Sequence, residues 1–83
     1  MTQTSFTFVL DKGQQEALAN LLKSGNYRPR TVPYTVIAVD AISWNCTVNL
    51  YTSGKALVQG RGAQEVVLNI MEPFVLGAAS LGY

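Results

Sequence analysis

Residues 46–65 constrain the fold more than any other stretch: Cys-Thr-Val-Asn-Leu-Tyr-Thr-Ser-Gly-Lys-Ala-Leu-Val-Gln-Gly-Arg-Gly-Ala-Gln-Glu. They read as strand, tight turn, strand, then helix. Alternating residues flank a Ser-Gly turn, a lysine follows it, and a glycine precedes the helix. That pattern defines a β-hairpin with two distinct faces. Val48, Leu50, Ala56 and Val58 make one face apolar enough to bury. The other face offers Asn49, Tyr51, Leu57 and Gln59, a mixture that points to contact rather than to plain solvation.

The rest of the chain supplies partners for this hairpin. Ser5–Leu10 alternates with period two and predicts a strand, with Phe6, Phe8 and Leu10 inward and Ser5, Thr7 and Val9 outward. Asp11 precedes Gln14 by three residues, a capping-box spacing. Ala17, Leu18, Leu21 and Leu22 form one helical stripe, and Gly25 stands where a left-handed residue would close the helix. Residues 26–33 read as a loop stiffened by Pro29 and Pro33. Tyr34–Asp40 predicts the next strand. Its core side is Thr35, Ile37 and Val39, and its outer side is Tyr34, Val36 and Ala38. Ala63, Val66, Val67, Ile70 and Met71 follow a helical repeat that Pro73 should end or bend.

The order β-α-β-β-β-α predicts an α+β domain: a four-stranded antiparallel sheet with two helices packed on one face. The opposite face stays open. Eighty-three residues with 48% apolar and 13% charged content suit one small packed domain. We assign 1–73 to that domain. The apolar, glycine-broken tail 74–83 is either an extra turn or the start of a linker. The amino-terminal residues lack a secretion signal, and no run of eighteen apolar residues is present. The expectation is a cytoplasmic protein with no membrane partner.

Enzyme chemistry finds little support. There is no histidine to act as a base, and the single Cys46 falls mid-strand as a small core filler. Asp11 reads as a helix cap, Asp40 ends a strand, and Glu16, Glu65 and Glu72 belong to helices. No catalytic residue, metal site or cofactor is therefore assigned to this segment. Gly60-Arg-Gly62 lacks full phosphate-loop spacing and reads as a strand-to-helix turn.

The charge distribution is more informative than the net charge of +1. Between Ser24 and Gly62 the chain carries Arg28, Arg30, Lys55 and Arg61 against Asp40 alone. These cations would rim the open face and take phosphates. Tyr34, Tyr51 and Leu57 would lie on sugar and base surfaces, and Asn49 and Gln59 would hydrogen-bond in a minor groove. Two other readings remain: a merely solvated sheet face, or a protein-interaction or dimerisation module using that face and the tail from Phe74.

The stretch Tyr51-Thr-Ser-Gly-Lys-Ala-Leu-Val-Gln-Gly-Arg-Gly-Ala-Gln-Glu65 closely resembles the N-terminal domain of bacterial ribonuclease HIII, with its Tyr-x-Ser-Gly-Lys-x-x-x-Gln-Gly-Lys run and Gln-Glu at the next helix. The likeness extends through Pro33-Tyr-Thr-Val36, Cys46-Thr-Val48 and Glu72-Pro73. The hairpin is also similar to a half-repeat of the TATA-binding protein, whose Phe-x-Ser-Gly-Lys-x-x-x-Thr-Gly stretch lies on the DNA-facing sheet. By that likeness Tyr51 stands for the aromatic, Leu57 for an aliphatic wedge and Gln59 for the groove-contacting threonine. The resemblance implies a substrate-binding domain that grips an RNA/DNA hybrid, with double-stranded DNA or RNA as further candidates. Cleavage of the RNA strand would fall to a separate C-terminal catalytic domain using magnesium or manganese. Two departures stand out. The connection from Val39 to Cys46 is about two residues long for the family and carries Trp44, which either stacks on the ligand or covers the core edge. Asp40 occupies a position where a basic residue is common.

Overall fold

The computed structural model describes residues 4–25 and 27–76. Strand β1 (Ser5–Val9) leads to helix α1 (Lys12–Ser24). Strands β2 (Arg28–Pro29), β3 (Thr35–Ala41), β4 (Cys46–Tyr51) and β5 (Lys55–Gly60) follow, and helix α2 (Ala63–Val66) continues as a wider π-type helix over Val67–Leu76. The sheet is antiparallel throughout, in the order β1-β5-β4-β3-β2. It has five strands rather than the four expected. The additional one is β2, a two-residue edge inside the segment read as a loop, paired through Arg28–Asp40 and Pro29–Val39. Nothing in its own composition marks it as a strand. Its pairing comes from β3, which supplies the ladder.

Helix α1 lies against β3 and β4, α2 against β1 and β5, and the π-type segment against α1. All of this packing is on one side. Phe6, Phe8, Val48, Leu50 and Val58 close the core from the sheet, and Leu18, Leu22, Val66, Val67 and Met71 close it from the helices. Burial of these side chains supplies most of the fold's stability, at about 1.5–3 kcal/mol for each large one. Trp44 sits half-buried on the rim of this core and packs against it.

Local signals in the sequence explain the ends of the elements. The capping box forms as spaced: Gln14 N–H donates to Asp11 Oδ1 at 2.8 Å, and Asp11 N–H donates to Gln14 Oε1 at 3.0 Å. Gly25 departs from expectation. It caps α1 in an extended conformation (φ −85°), and its hydrogen is needed because the Tyr27 ring lies where a Cβ would stand. Pro73 does not end the second helix, which runs on to Leu76, and its winding changes at Val67. The tail 77–83 lies outside the described residues.

Strand β3 contains a bulge. Thr35 pairs with Tyr51 and Ile37 with Leu50, so Val36 is the extra residue. The bulge shifts the phase of the strand. Thr35 joins the open face, and Val36 lines a shallow hollow with Ala19 and Leu50 on the helix side. Both assignments reverse the alternation read from the sequence. Ile37, Val39 and Ala41 keep the core parity.

Candidate nucleic-acid interface

The register of the sheet sorts the uncovered side into three rows. One runs Ser5, Gln59, Thr47, Asp40 and Arg28. The next runs Thr7, Leu57, Asn49 and Ala38, with Arg30 beside Ala38 through its N–H to the Ala38 carbonyl at 2.8 Å. The third holds Val9 and Lys55 at one end, Tyr51 and Thr35 at the other. Val9 is 80% exposed on this surface. No helix covers it, because both pack on the opposite face.

The hairpin turn fixes the third row. Gly54 N–H donates to the Tyr51 carbonyl at 3.0 Å, and Gly54 adopts a positive φ of 92° that favours glycine. Lys55 therefore leaves the turn pointing along the open face, exposed. At the other end of β5, Arg61 is exposed beside a hollow also lined by Asp40, Asn45, Thr47 and Gln59. That hollow has room for about 390 Å³ and extends the sheet surface.

At the centre the side chains are tied together. Arg30 Nε lies 3.3 Å from Asp40 Oδ1, and Arg30 Nη1 donates to Asn49 Oδ1 at 3.4 Å. Asn49 Nδ2 in turn donates to the Tyr51 hydroxyl at 3.2 Å. Arg30 reaches Asn49 by crossing Ala38, the small residue between them, and Ala38 is buried beneath it. Asn49 is consequently only 6% exposed although it belongs to the outer face.

A family model described as a domain of unknown function (DUF3378) matches residues 5–72. The chain belongs to this family. No curated protein matches it by sequence. Among solved structures, the DUF3378 domain is similar to one titled "Crystal structure of Aquifex aeolicus RNase H3", with a TM-score of 0.69 at 23% identity. The match covers 83% of this chain and 26% of that one, so the chain spans about a quarter of its length. The likeness is one of fold, and it agrees with the resemblance carried by the hairpin.

The nine candidate residues fare differently in the DUF3378 domain. Tyr51, Leu57 and Gln59 share the open face, with Lys55 at the turn and Arg28 on the outer edge. Arg61 stands at the end of β5. Asn49 lies on the same face but is buried, bonded to Arg30, which covers it, and to Tyr51. Tyr34 is not a strand residue: it is 84% exposed in a left-handed turn (φ 62°), tied to the hairpin where its carbonyl accepts from Thr52 N–H at 2.8 Å. Ser5, Thr7, Val9 and Thr47 also face outward, as strand alternation marks them, and none is among the nine candidates. Among the described residues no cluster of three metal-ligating side chains is present, and no helix is long and apolar enough to cross a membrane.

Proposed function

We propose that the open sheet face binds duplex nucleic acid, with an RNA/DNA hybrid as the preferred ligand, and that it does so for a ribonuclease HIII-type catalytic domain. The observation that supports this most is the helix-free sheet face that carries Tyr51, Leu57 and Gln59 side by side, on a fold shared with part of an RNase H3.

The physics of the surface fits a minor groove. A hybrid's groove is wide and shallow, suits a nearly flat platform, and presents 2′-hydroxyls. Tyr51, Leu57 and Val9 supply apolar contact with sugar edges. Gln59 and Thr47 donate and accept hydrogen bonds with little sequence preference. Arg28, Lys55 and Arg61 hold phosphates at the periphery. Neutralising three to four phosphates would give a slope of log K against log salt near −3. So small a surface should bind in the micromolar range, weaker than a typical specific protein–DNA interface. Joined to a catalytic domain, it would raise the local substrate concentration. That domain would supply the acidic cluster with its magnesium or manganese and cut the RNA strand.

Fluorescence anisotropy with hybrid, double-stranded RNA and double-stranded DNA, each at two salt concentrations, tests the proposal. Salt-sensitive binding that is tightest for the hybrid supports it. A salt-insensitive dimer that ignores all three duplexes would instead favour a protein-interaction module.

A further inference from the structure

Asn49 sits at the middle of the exposed platform yet is buried, and the side chain laid over it is Arg30. Both bonds that hold Arg30 in place, 3.3 Å to Asp40 and 3.4 Å to Asn49, lie at the long end of the hydrogen-bond range. The side chains of Arg30 and Asp40 are each about one-third exposed, at 35% and 34%, so their ion pair is screened and weak. A phosphate offers the guanidinium shorter, bidentate bonds. Releasing Arg30 also frees Asn49 Oδ1, while Nδ2 keeps the Tyr51 hydroxyl. The carbonyl oxygen then becomes an acceptor on the floor of the binding face.

We infer that Arg30 is a movable cover: duplex binding exchanges its Asp40 partner for a backbone phosphate and uncovers Asn49 as an acceptor for a groove donor. Asp40 sets the resting state. It occupies the guanidinium when no phosphate is present and weakens binding by that competition. The inference rests on the function proposed above and assigns the roles of Arg30, Asp40 and Asn49 within it.

Asp40→Asn, Arg30→Ala and the double variant, titrated with the RNA/DNA hybrid at several salt concentrations, test it. Circular dichroism serves as the folding control. Asp40→Asn should tighten binding about threefold in the parent background and leave it unchanged when Arg30 is already alanine. Arg30→Ala should flatten the salt slope by about 0.9, the loss of one phosphate contact. An equal gain from Asp40→Asn in both backgrounds would mean that Asp40 acts as a simple repulsive charge, and would overturn the inference. Weaker binding by Asp40→Asn would overturn it as well, since Asp40 would then position Arg30 rather than restrain it. An unchanged slope in Arg30→Ala would do the same. Failure of the parent to bind any duplex removes the function itself, a separate outcome from these.

Discussion

The amide nitrogen of Asn49 donates to the Tyr51 hydroxyl at 3.2 Å, joining two neighbours on the same face of β4. The bond holds the phenol in place and satisfies a buried donor. Tyr51→Phe should therefore cost about 1–2 kcal/mol in urea unfolding. Tyr51→Ala should also remove the platform itself and weaken hybrid binding several-fold, as anisotropy would show.

Lys55 is exposed and has no core contact. Its removal should act on association alone. Lys55→Ala is expected to leave the unfolding midpoint within about 0.5 kcal/mol of the parent. Duplex affinity should fall alike for every sequence, and the salt slope should flatten by about 0.9.

Among the described glycines, Gly62 has the tightest backbone neighbour. A Cβ there would overlap the carbonyl oxygen of Trp44. Gly62→Ala should cost about 3 kcal/mol or more, and soluble yield with thermal unfolding would report it. Gly13 is the useful contrast. It is exposed in the first turn of α1, where a Cβ would meet only Asp11 Oδ1 at 3.5 Å. Gly13→Ala should raise stability by about 0.5–1 kcal/mol.

Leu50 is fully buried between β3 and α1, whereas Ile70 packs only partly against the core. Leu50→Ala should open a cavity and cost about 2–5 kcal/mol, enough to unfold a domain this small. Ile70→Ala should cost clearly less. Equal losses in denaturant titrations would contradict this ranking.

Burial pushes the Cys46 thiol up to about 11 from 9.0. The folded state therefore keeps a proton that the unfolded chain releases. That contribution is complete below about pH 9 and is lost as pH rises towards 11. The expected loss is on the order of 2 kcal/mol across that window, and Cys46→Ala should flatten it. At neutral pH the thiol should react with iodoacetamide only after unfolding.

Much of this arrangement was legible in the chain. Alternation around Thr52-Ser53-Gly54 set the faces of the hairpin, and Asp11 with Gln14 set the start of α1. What escaped depends on contacts between distant residues. Strand β2 is too short to show a period and exists through β3. The apolar run from Val36 to Val39 has no polar residue to mark its phase, so the bulge was invisible and Thr35 and Val36 were assigned to the wrong sides. Asn49 read as exposed because its cover, Arg30, lies nineteen residues away. Tyr34 reads in sequence as the first residue of the strand, whereas its left-handed backbone belongs to the turn before β3.

The brevity of β2 has a consequence for the isolated domain at high concentration. An exposed sheet margin invites another chain to zip along it, and length and free amides set how well that works. Here β2 is two residues long, and one of them is Pro29, which has no amide hydrogen to give. Zipping of a further chain along β2 is blocked at its first rung, so the broad adhesive surface beside that strand can stay uncovered without seeding fibres there.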